Sequence, residues 1–475
     1  MAEVVTPGIV EALRAENAAL RQQLAAALER IAAQDKLIAE LRERLNQNSQ
    51  NSSRPPSSDP PSAPPPAPRP RSGRKPGGQP GHKGHKRTFL PVDPENVRDV
   101  KPDSCKGCGA HLEGVDPNPH RHQVVEVPEP KPQVTETRLH ELTCDRCGVK
   151  TRAALPADVL PGGFGPRLVA IIALLSGAYR LSKRLTVGLL GDLYGIPISL
   201  GSVTACEQIA SEAVTKPVDE ARAYVQEQPV KHADESSWFE GPKRAKVWLW
   251  VASSALVTTF MIRASRGKDA AMRLLGKVCG VLVTDRWCAY AWWPLELRQL
   301  CWSHIKRHFK KISEASGDAG KLGDQLLALQ KRLFTLWHRV RDGTLQRSSF
   351  RTYVSAIRCE MRSLLEQGQT CSHKFTATTC AELLKVEEAM WTFARIEGVE
   401  PTNNNGEHAI RPGVVWRKIC YGTHSRWGSR FVERMLTVVY TLKQQDRNAL
   451  SFMTECVSAR MTGDAVTASL LPKTA

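Results

Sequence analysis

The sequence predicts a multidomain α+β protein on three observations. A heptad repeat runs over residues 10–45, two Cys-x-x-Cys knuckles lie at Cys105–Cys108 and Cys144–Cys147, and strand-like and helical segments alternate beyond residue 227. With 475 residues, 41% of them hydrophobic, the chain is long enough for roughly two to four domains with buried cores. Lys and Arg number 66 against 48 Asp and Glu, a net charge of +18 that favours a polyanionic partner, nucleic acid before membrane. The longest apolar run, Leu168 to Ala178, is far short of the roughly 20 residues that span a bilayer, so no membrane segment is expected. Glu3, Glu11 and Glu16 make the N-terminus unlike a signal peptide, and thirteen cysteines, an odd number, suggest a reducing cytoplasm.

Residues 1–48 read as a coiled coil. Val10, Asn17, Leu24, Ile31, Ile38 and Leu45 hold one seam position, and Leu13, Leu20, Ala27, Gln34 and Leu41 the other. Asn17 is the type of seam amide that fixes register in two parallel strands. A homodimer or higher oligomer is therefore expected through Leu13, Asn17, Leu20, Leu24, Ile31 and Ile38. A single helix solvated by its charged, Ala-rich face is the alternative. Residues 49–100 form a Pro/Ser/Gly-rich linker carrying Arg69, Arg71, Arg74, Lys75, Lys83, Lys86 and Arg87, with no acid from Arg69 to Arg87. Such an arm can lie along phosphates or enter a minor groove, or serve only as a solubilising tether.

In residues 101–155, each Cys-x-x-Cys puts two thiolates on one tight turn, with Gly109 and Gly148 following where the turn needs no Cβ. Together Cys105, Cys108, Cys144 and Cys147 supply the sulfur set that structural Zn²⁺ prefers; a redox pair is disfavoured because there are two knuckles. The intervening stretch from Arg121 to Thr143 has a strand-like, alternating texture. Residues 156–226 are helical in character, with Pro166 in a first turn, Gly195 and Pro197 as interruptions and Ser202 as the next cap. This pattern suits a helix-turn-helix-like DNA-binding domain with Arg180, Lys183 and Arg184 near phosphate, although plain helical connectors look alike.

Residues 227–305 turn to strands, "PVKHADESSW", "KVWLWVASS", "LVTTFMIR" and, after a helix over "GKDAAMRLLG", "GVLVTDRW". The order suggests a meander followed by a parallel crossover, with Asp234 at the end of the first strand and Asp285 at the end of the fourth. Acids on neighbouring strand ends are the ribonuclease H arrangement for two Mg²⁺ (or Mn²⁺) ions. Glu407 supplies a third acid at a helix start that Asn403, Asn404 and Asn405 can cap, in a second core segment over residues 385–450. The long gap between Asp285 and Glu407 calls for a helical insertion over residues 306–384, and residues 451–475 form a tail. The predicted catalytic core is thus a ribonuclease H-like mixed α/β sheet.

Smaller features are weaker. Cys301 and His304 lie three apart on a helix, but two ligands do not make a metal site; His304 can instead orient a carboxylate or touch phosphate. Trp287, Trp292, Trp293 and Trp302 suit core packing better than base stacking. Arg411, Arg417, Lys418 and Arg426 can contact a DNA strand or form a solvated face.

The motifs "LRAENAALRQQL", "NSSRPPSSDPP", "KPGGQPGHKGH", the paired knuckles, "HADESSW", "TDRWCAY", "RQLCWSHIKRHF" and "PTNNNGEHAIRP" together resemble the large transposases of the insertion sequence 66 family over nearly the whole chain. The resemblance implies an Asp-Asp-Glu transposase with Asp234, Asp285 and Glu407 as its catalytic triad. It also implies double-stranded DNA (element ends and target) as partner, small accessory proteins of the same element, and a bacterial, nucleoid-associated location. The last motif departs from the family pattern in having Gly406 and His408 where alanine and arginine are usual. A catalytically silent DNA-binding protein, or a nuclease that cleaves without joining, is the alternative reading.

Overall fold

The structure is a computed structural model that describes residues 7–46 and 88–472. The basic-arm residues Arg69, Arg71, Arg74, Lys75, Lys83, Lys86 and Arg87 lie outside the described residues, as does the side chain of Leu13. The described residues fall into two compact units, one made of 88–137 and 189–197, the other of the remainder.

In the smaller unit the first knuckle is closed by backbone bonds, Cys105 N–H to Ala110 O (2.8 Å) and Gly109 N–H to Cys105 O (2.9 Å), with Gly109 at φ +74°. Gln123 holds both the N–H and the carbonyl of Leu90, at 2.9 and 2.8 Å. The alternating stretch after Arg121 forms no strand until Glu141. Its Val124, Val127 and Val134 are exposed, and alternation stabilises a strand only when a neighbour covers one face.

The larger unit begins with α1 (Pro7–Asn46), whose Leu20, Leu24, Ile31 and Ile38 are all exposed, Leu24 at 60%. β1 (Glu141–Thr143) and β2 (Lys150–Arg152) pair antiparallel around the second knuckle, which repeats the bonding of the first: Cys144 N–H to Val149 O and Gly148 N–H to Cys144 O. Four helices follow: α2 (Pro166–Gly177), α3 (Lys183–Tyr194), α4 (Leu200–Ala213) and α5 (Thr215–Glu227). Proline opens α2 at its first position, where no N–H is missed. The cap of α4 is Ser199, not Ser202: the helix begins at Leu200, so Ser202 falls inside its first turn and its N–H donates to the Ser199 hydroxyl at 3.0 Å.

The sheet comprises β3 (Val230–Glu240), β4 (Ala245–Ser253), β5 (Thr258–Arg263), then, after α6 (Lys268–Leu275), β6 (Val281–Thr284) and β7 (Arg298–Leu300). Its order is β5-β4-β3-β6-β7, antiparallel across β5-β4-β3 and parallel across β3-β6-β7. β7 has no counterpart in the sequence reading; three residues, including the polar Arg298 and Gln299, are too few for a period-2 signal. β3 runs six residues past Asp234, which sits mid-strand rather than at its end. Pairing with β4 continues to Glu240, whereas the β6 ladder stops at His232.

Helices α7 (Trp302–Ser313), α8 (Gly317–Arg341), α9 (Arg347–Gln369), α10 (Lys374–Lys385) and the short α11 (Thr392–Arg395) build one core with β6 and β7 around Trp302, Trp337, Phe350, Trp391 and Phe393. Burial of apolar side chains of this size contributes roughly 1.5–3 kcal/mol each. Three more helices complete the unit: α12 (Asn404–Cys420), α13 (Arg426–Gln444) and α14 (Ala449–Thr462). Trp238, Leu249, Phe260, Ile410, Trp416 and Leu436 form a second core between α12, α13 and one face of the sheet. Gly413 permits the approach of α12 to β4, since a Cβ there would lie 2.1 Å from the buried Leu249 side chain. Glu433, Thr437 and Thr441, one helical turn apart on α13, accept the N–H groups of Ile262, Phe260 and Thr258 and so cover the free edge of β5. Among the described residues no helix is long and apolar enough to cross a membrane.

Candidate active site

The parallel register of β3 and β6 sets Val230, Lys231 and His232 opposite Val281, Leu282 and Val283, an offset of 51 residues. Carried two residues past the end of the ladder, the same offset takes Asp234 to Asp285, which follows the last residue of β6, and the two charges are close enough to act on each other. Residues alternate across β3. Asp234 shares the face of Trp238, which packs on α12, whereas Glu235 points to the opposite face. Glu407 lies in the first turn of α12, on the side that meets β3.

Asp234 accepts the Glu235 N–H at 2.8 Å, and Asp285 accepts the Trp287 N–H at 2.9 Å, which turns the chain after β6. Burial raises the Asp234 carboxyl well above its ordinary range, and the charges of Glu235, Asp285 and Glu407 push it further. Among the described residues neither Asp234 nor Asp285 forms a salt bridge; the cation that feels the charge of Asp285 is the buried Arg298, which donates to the Asp285 backbone carbonyl at 3.3 Å. A hard divalent ion such as Mg²⁺, which takes carboxylate oxygens, fits that donor set.

Glu235 is treated differently from its neighbour. Its buried carboxylate accepts from Arg266 (2.8 and 3.1 Å) and from the Tyr290 hydroxyl at 2.5 Å, and Arg266 stacks on Trp287, 3.8 Å from the ring centre. Burial, then the charge of Asp285, raises the Glu235 carboxyl; Tyr290 and Arg266 oppose the rise. This brace ties β3 to the loop carrying Asp285. The only hint in the sequence is that Glu235 adjoins Asp234 in "HADESSW"; Arg266 and Tyr290 carry no motif signal of their own.

Asn403 does not cap α12 with its side chain. Its amide nitrogen donates to Ala233 O at 2.8 Å, and its oxygen meets His232 Nδ1 at 3.1 Å, so Asn403 bolts α12 to β3 next to Asp234. Cross-strand tethering satisfies a buried amide more fully than a cap on the exposed first turn. Gly406 makes room for it: a Cβ there would lie 2.7 Å from the Asn403 amide. The glycine that departs from the resembled pattern therefore has a packing role here.

Glu407 Oε1 lies 3.6 Å from His304 Nδ1 and 3.8 Å from Cys301 Sγ. Cys301, His304 and Glu407 are the ligand-bearing trio that comes together among the described residues, all within 4.8 Å; neither aspartate belongs to it. A cavity of about 170 Å³ opens beside them, lined by Asp285, Arg286, His304 and His308 among others. Burial, with Arg286 next in effect, lowers the His308 pKa to about 4, leaving a neutral ring on that wall.

The Transposase IS66 family matches residues 162–430, more than half of the chain, including the whole sheet, both aspartates and Glu407. The chain belongs to this family. A transposase role and DNA binding follow from that membership. Residues 4–88 match a family of unknown function, and a search of curated proteins finds no match.

The transposase uses several of its basic residues internally. Lys183 bonds Glu207 at 3.0 Å and Thr204 at 2.6 Å, compensating a buried acid, and Arg417 donates to Ser236 and to Ser237 O on β3, at 3.1 and 2.6 Å. Both brace the fold as placed. Arg184, Arg411 and Lys418 are exposed, and Arg180 is half-buried at φ +64°. Trp293 and Trp302 are fully buried core residues, whereas Trp287 is half-buried under Arg266.

Proposed function

We propose that this transposase nicks and joins DNA strands at the ends of its element, with Asp234, Asp285 and Glu407 as its catalytic acids. One observation carries the reading: Asp234 lies on β3 and Asp285 at the exit of the adjacent β6, with Glu407 on the helix that packs over them, and the charges of Asp285 and Glu407 both act on Asp234. The sheet order, three antiparallel strands followed by two parallel ones, supports a ribonuclease H-like core.

Mg²⁺, or Mn²⁺, held by the three carboxylates would activate a water or a DNA 3′-hydroxyl and stabilise the departing 3′-oxygen. The chain's own part is to hold the acids rigid. The Glu235–Arg266–Tyr290 brace fixes the strand under Asp234, and the Asn403 tether fixes the helix bearing Glu407. Arg286, at the cavity beside Asp285, offers a cation to a strand phosphate. One site serves cleavage and joining because the two steps differ only in the attacking hydroxyl.

The remaining regions fit supporting roles. In each knuckle, backbone N–H groups lower the pKa of the leading thiol, Cys105 through Cys108 and Gly107, Cys144 through Arg146 and Cys147. Thiols poised this way suit Zn²⁺ at each knuckle by itself, Cys105 with Cys108 and Cys144 with Cys147. The helices from α2 to α5 and the basic arm would grip DNA phosphates, with small accessory proteins assisting, in the bacterial cytoplasm at the nucleoid. The exposed stripe on α1 fits a dimer seam. Leu24→Glu is expected to halve the sedimenting mass, and an unchanged mass would leave α1 without that role.

The deciding experiment offers the protein oligonucleotides copied from the inverted repeats beside its gene. Nicking and joining with Mg²⁺, both abolished by chelation, is the expected result. Cleavage that never yields joined strands would instead make the protein a nuclease, and binding without either reaction would make it a DNA-binding protein alone.

A further inference from the structure

We propose that Cys301, His304 and Glu407 form a separate divalent-ion site, selective for a thiophilic ion of the zinc class, which shares Glu407 with the two aspartates. Three features of these side chains lie outside what the acid cluster explains.

First, the spacing suits coordination. A tetrahedral ion with a sulfur ligand at about 2.3 Å and nitrogen and oxygen ligands at about 2.0–2.1 Å needs ligand-to-ligand edges of about 3.3–3.6 Å. Glu407 Oε1 stands 3.6 Å from His304 Nδ1 and 3.8 Å from Cys301 Sγ, close to those edges, and all three ligand atoms lie within 4.8 Å of one another. Second, His304 Nδ1 is buried and has no hydrogen-bond partner, an orphan that a metal bond would satisfy. Third, the sulfur already accepts a backbone N–H, although burial raises the pKa of its thiol, so a bound ion would displace its proton. Cys301 stands at the N-terminus of α7 and receives the Asn403 N–H at 3.2 Å, as a metal-bound sulfur does.

The mix of donors decides the ion. Mg²⁺ and Ca²⁺ take oxygen, whereas sulfur with imidazole selects zinc-class ions. Three protein ligands leave one position, and the cavity lined by His304, Cys301 and Asp285 gives that position access to water. An ion there withdraws Glu407 from Asp234 and Asp285, so it acts against Mg²⁺ at the neighbouring site. That last consequence rests on the role proposed for Glu407; the ion site itself does not.

The test counts zinc bound per full-length protomer, by atomic emission after dialysis, in the parent, Cys301→Ala, His304→Gln and, as a control for the knuckles, Cys105→Ser. Cys301→Ala and His304→Gln are each expected to lose one equivalent. Cobalt bound to the Cys105→Ser chain should still show a thiolate-to-metal absorption that vanishes when Cys301→Ala is added. Equal zinc counts in the parent and both single variants, or a cobalt absorption indifferent to Cys301, would overturn the site. Failure of the Asp-Asp-Glu reading appears elsewhere, as Mg²⁺-dependent nicking that survives Asp285→Asn.

Discussion

Asp285→Asn is expected to lower Mg²⁺-dependent nicking and joining together, on the order of 10³-fold or more, while leaving DNA binding in place. Asparagine keeps the oxygen that accepts the Trp287 N–H, so the turn after β6 survives and the loss reports charge rather than folding. The substitution also removes one of the charges that hold the Asp234 carboxyl up, which tends to return that carboxyl towards its ordinary range. Parallel rates of nicking and joining, measured on the same terminal oligonucleotides, check the point. Unchanged rates would take Asp285 out of the mechanism, and loss of joining alone would mean that the two reactions do not share one site.

Arg266→Leu carries the largest expected effect on stability. Glu235 has 1% of its side chain exposed, and without Arg266 it keeps only the Tyr290 hydroxyl among the partners described for its carboxylate. Stranding one member of a buried ion pair costs about 3–5 kcal/mol. The sign of the pH dependence follows from the raised Glu235 carboxyl. A group whose pKa is higher in the fold than in the unfolded chain favours the fold below its unfolded value, and that contribution is lost as the pH rises through the folded value. Arg266 opposes the rise, so removing it should raise the Glu235 carboxyl further and make the variant's deficit greater at neutral pH than near pH 4. Urea unfolding of parent and variant at both pH values measures this; a deficit independent of pH would mean that the lost stacking on Trp287 and Trp248 dominates.

Part of this molecule is legible as pattern. Strand periodicity locates β3 to β6, and the apolar "GVLV" ending in Asp285 marks a buried strand with a polar exit. The repeated Cys-x-x-Cys-Gly reads directly because each knuckle is a local turn, closed by bonds spanning a few residues. The heptads of α1 read equally well, and the exposed leucines they leave are what a local helical period can specify without naming a partner. Where local pattern misled, a distant partner had outbid a near one. Asn403 gives up capping its own helix to bind β3, 170 residues away in the chain. Lys183 and Arg417 likewise find partners that no local pattern signals, Glu207 and the hydroxyls of β3.

By itself the sequence determined the types and order of most of the elements, the acids that lie on or beside them, and the positive charge suited to DNA, because those properties follow from periods of two to seven residues and from composition. Only the tertiary structure decided that β3 and β6 pair with the offset that brings Asp285 beside Asp234, that Glu235 is braced on the opposite face, and that Cys301 and His304 meet Glu407, 106 residues from the cysteine. Strand register and helix docking are fixed by burial of whole faces at once, through contacts between segments far apart in the chain, and no local period encodes which segments will meet.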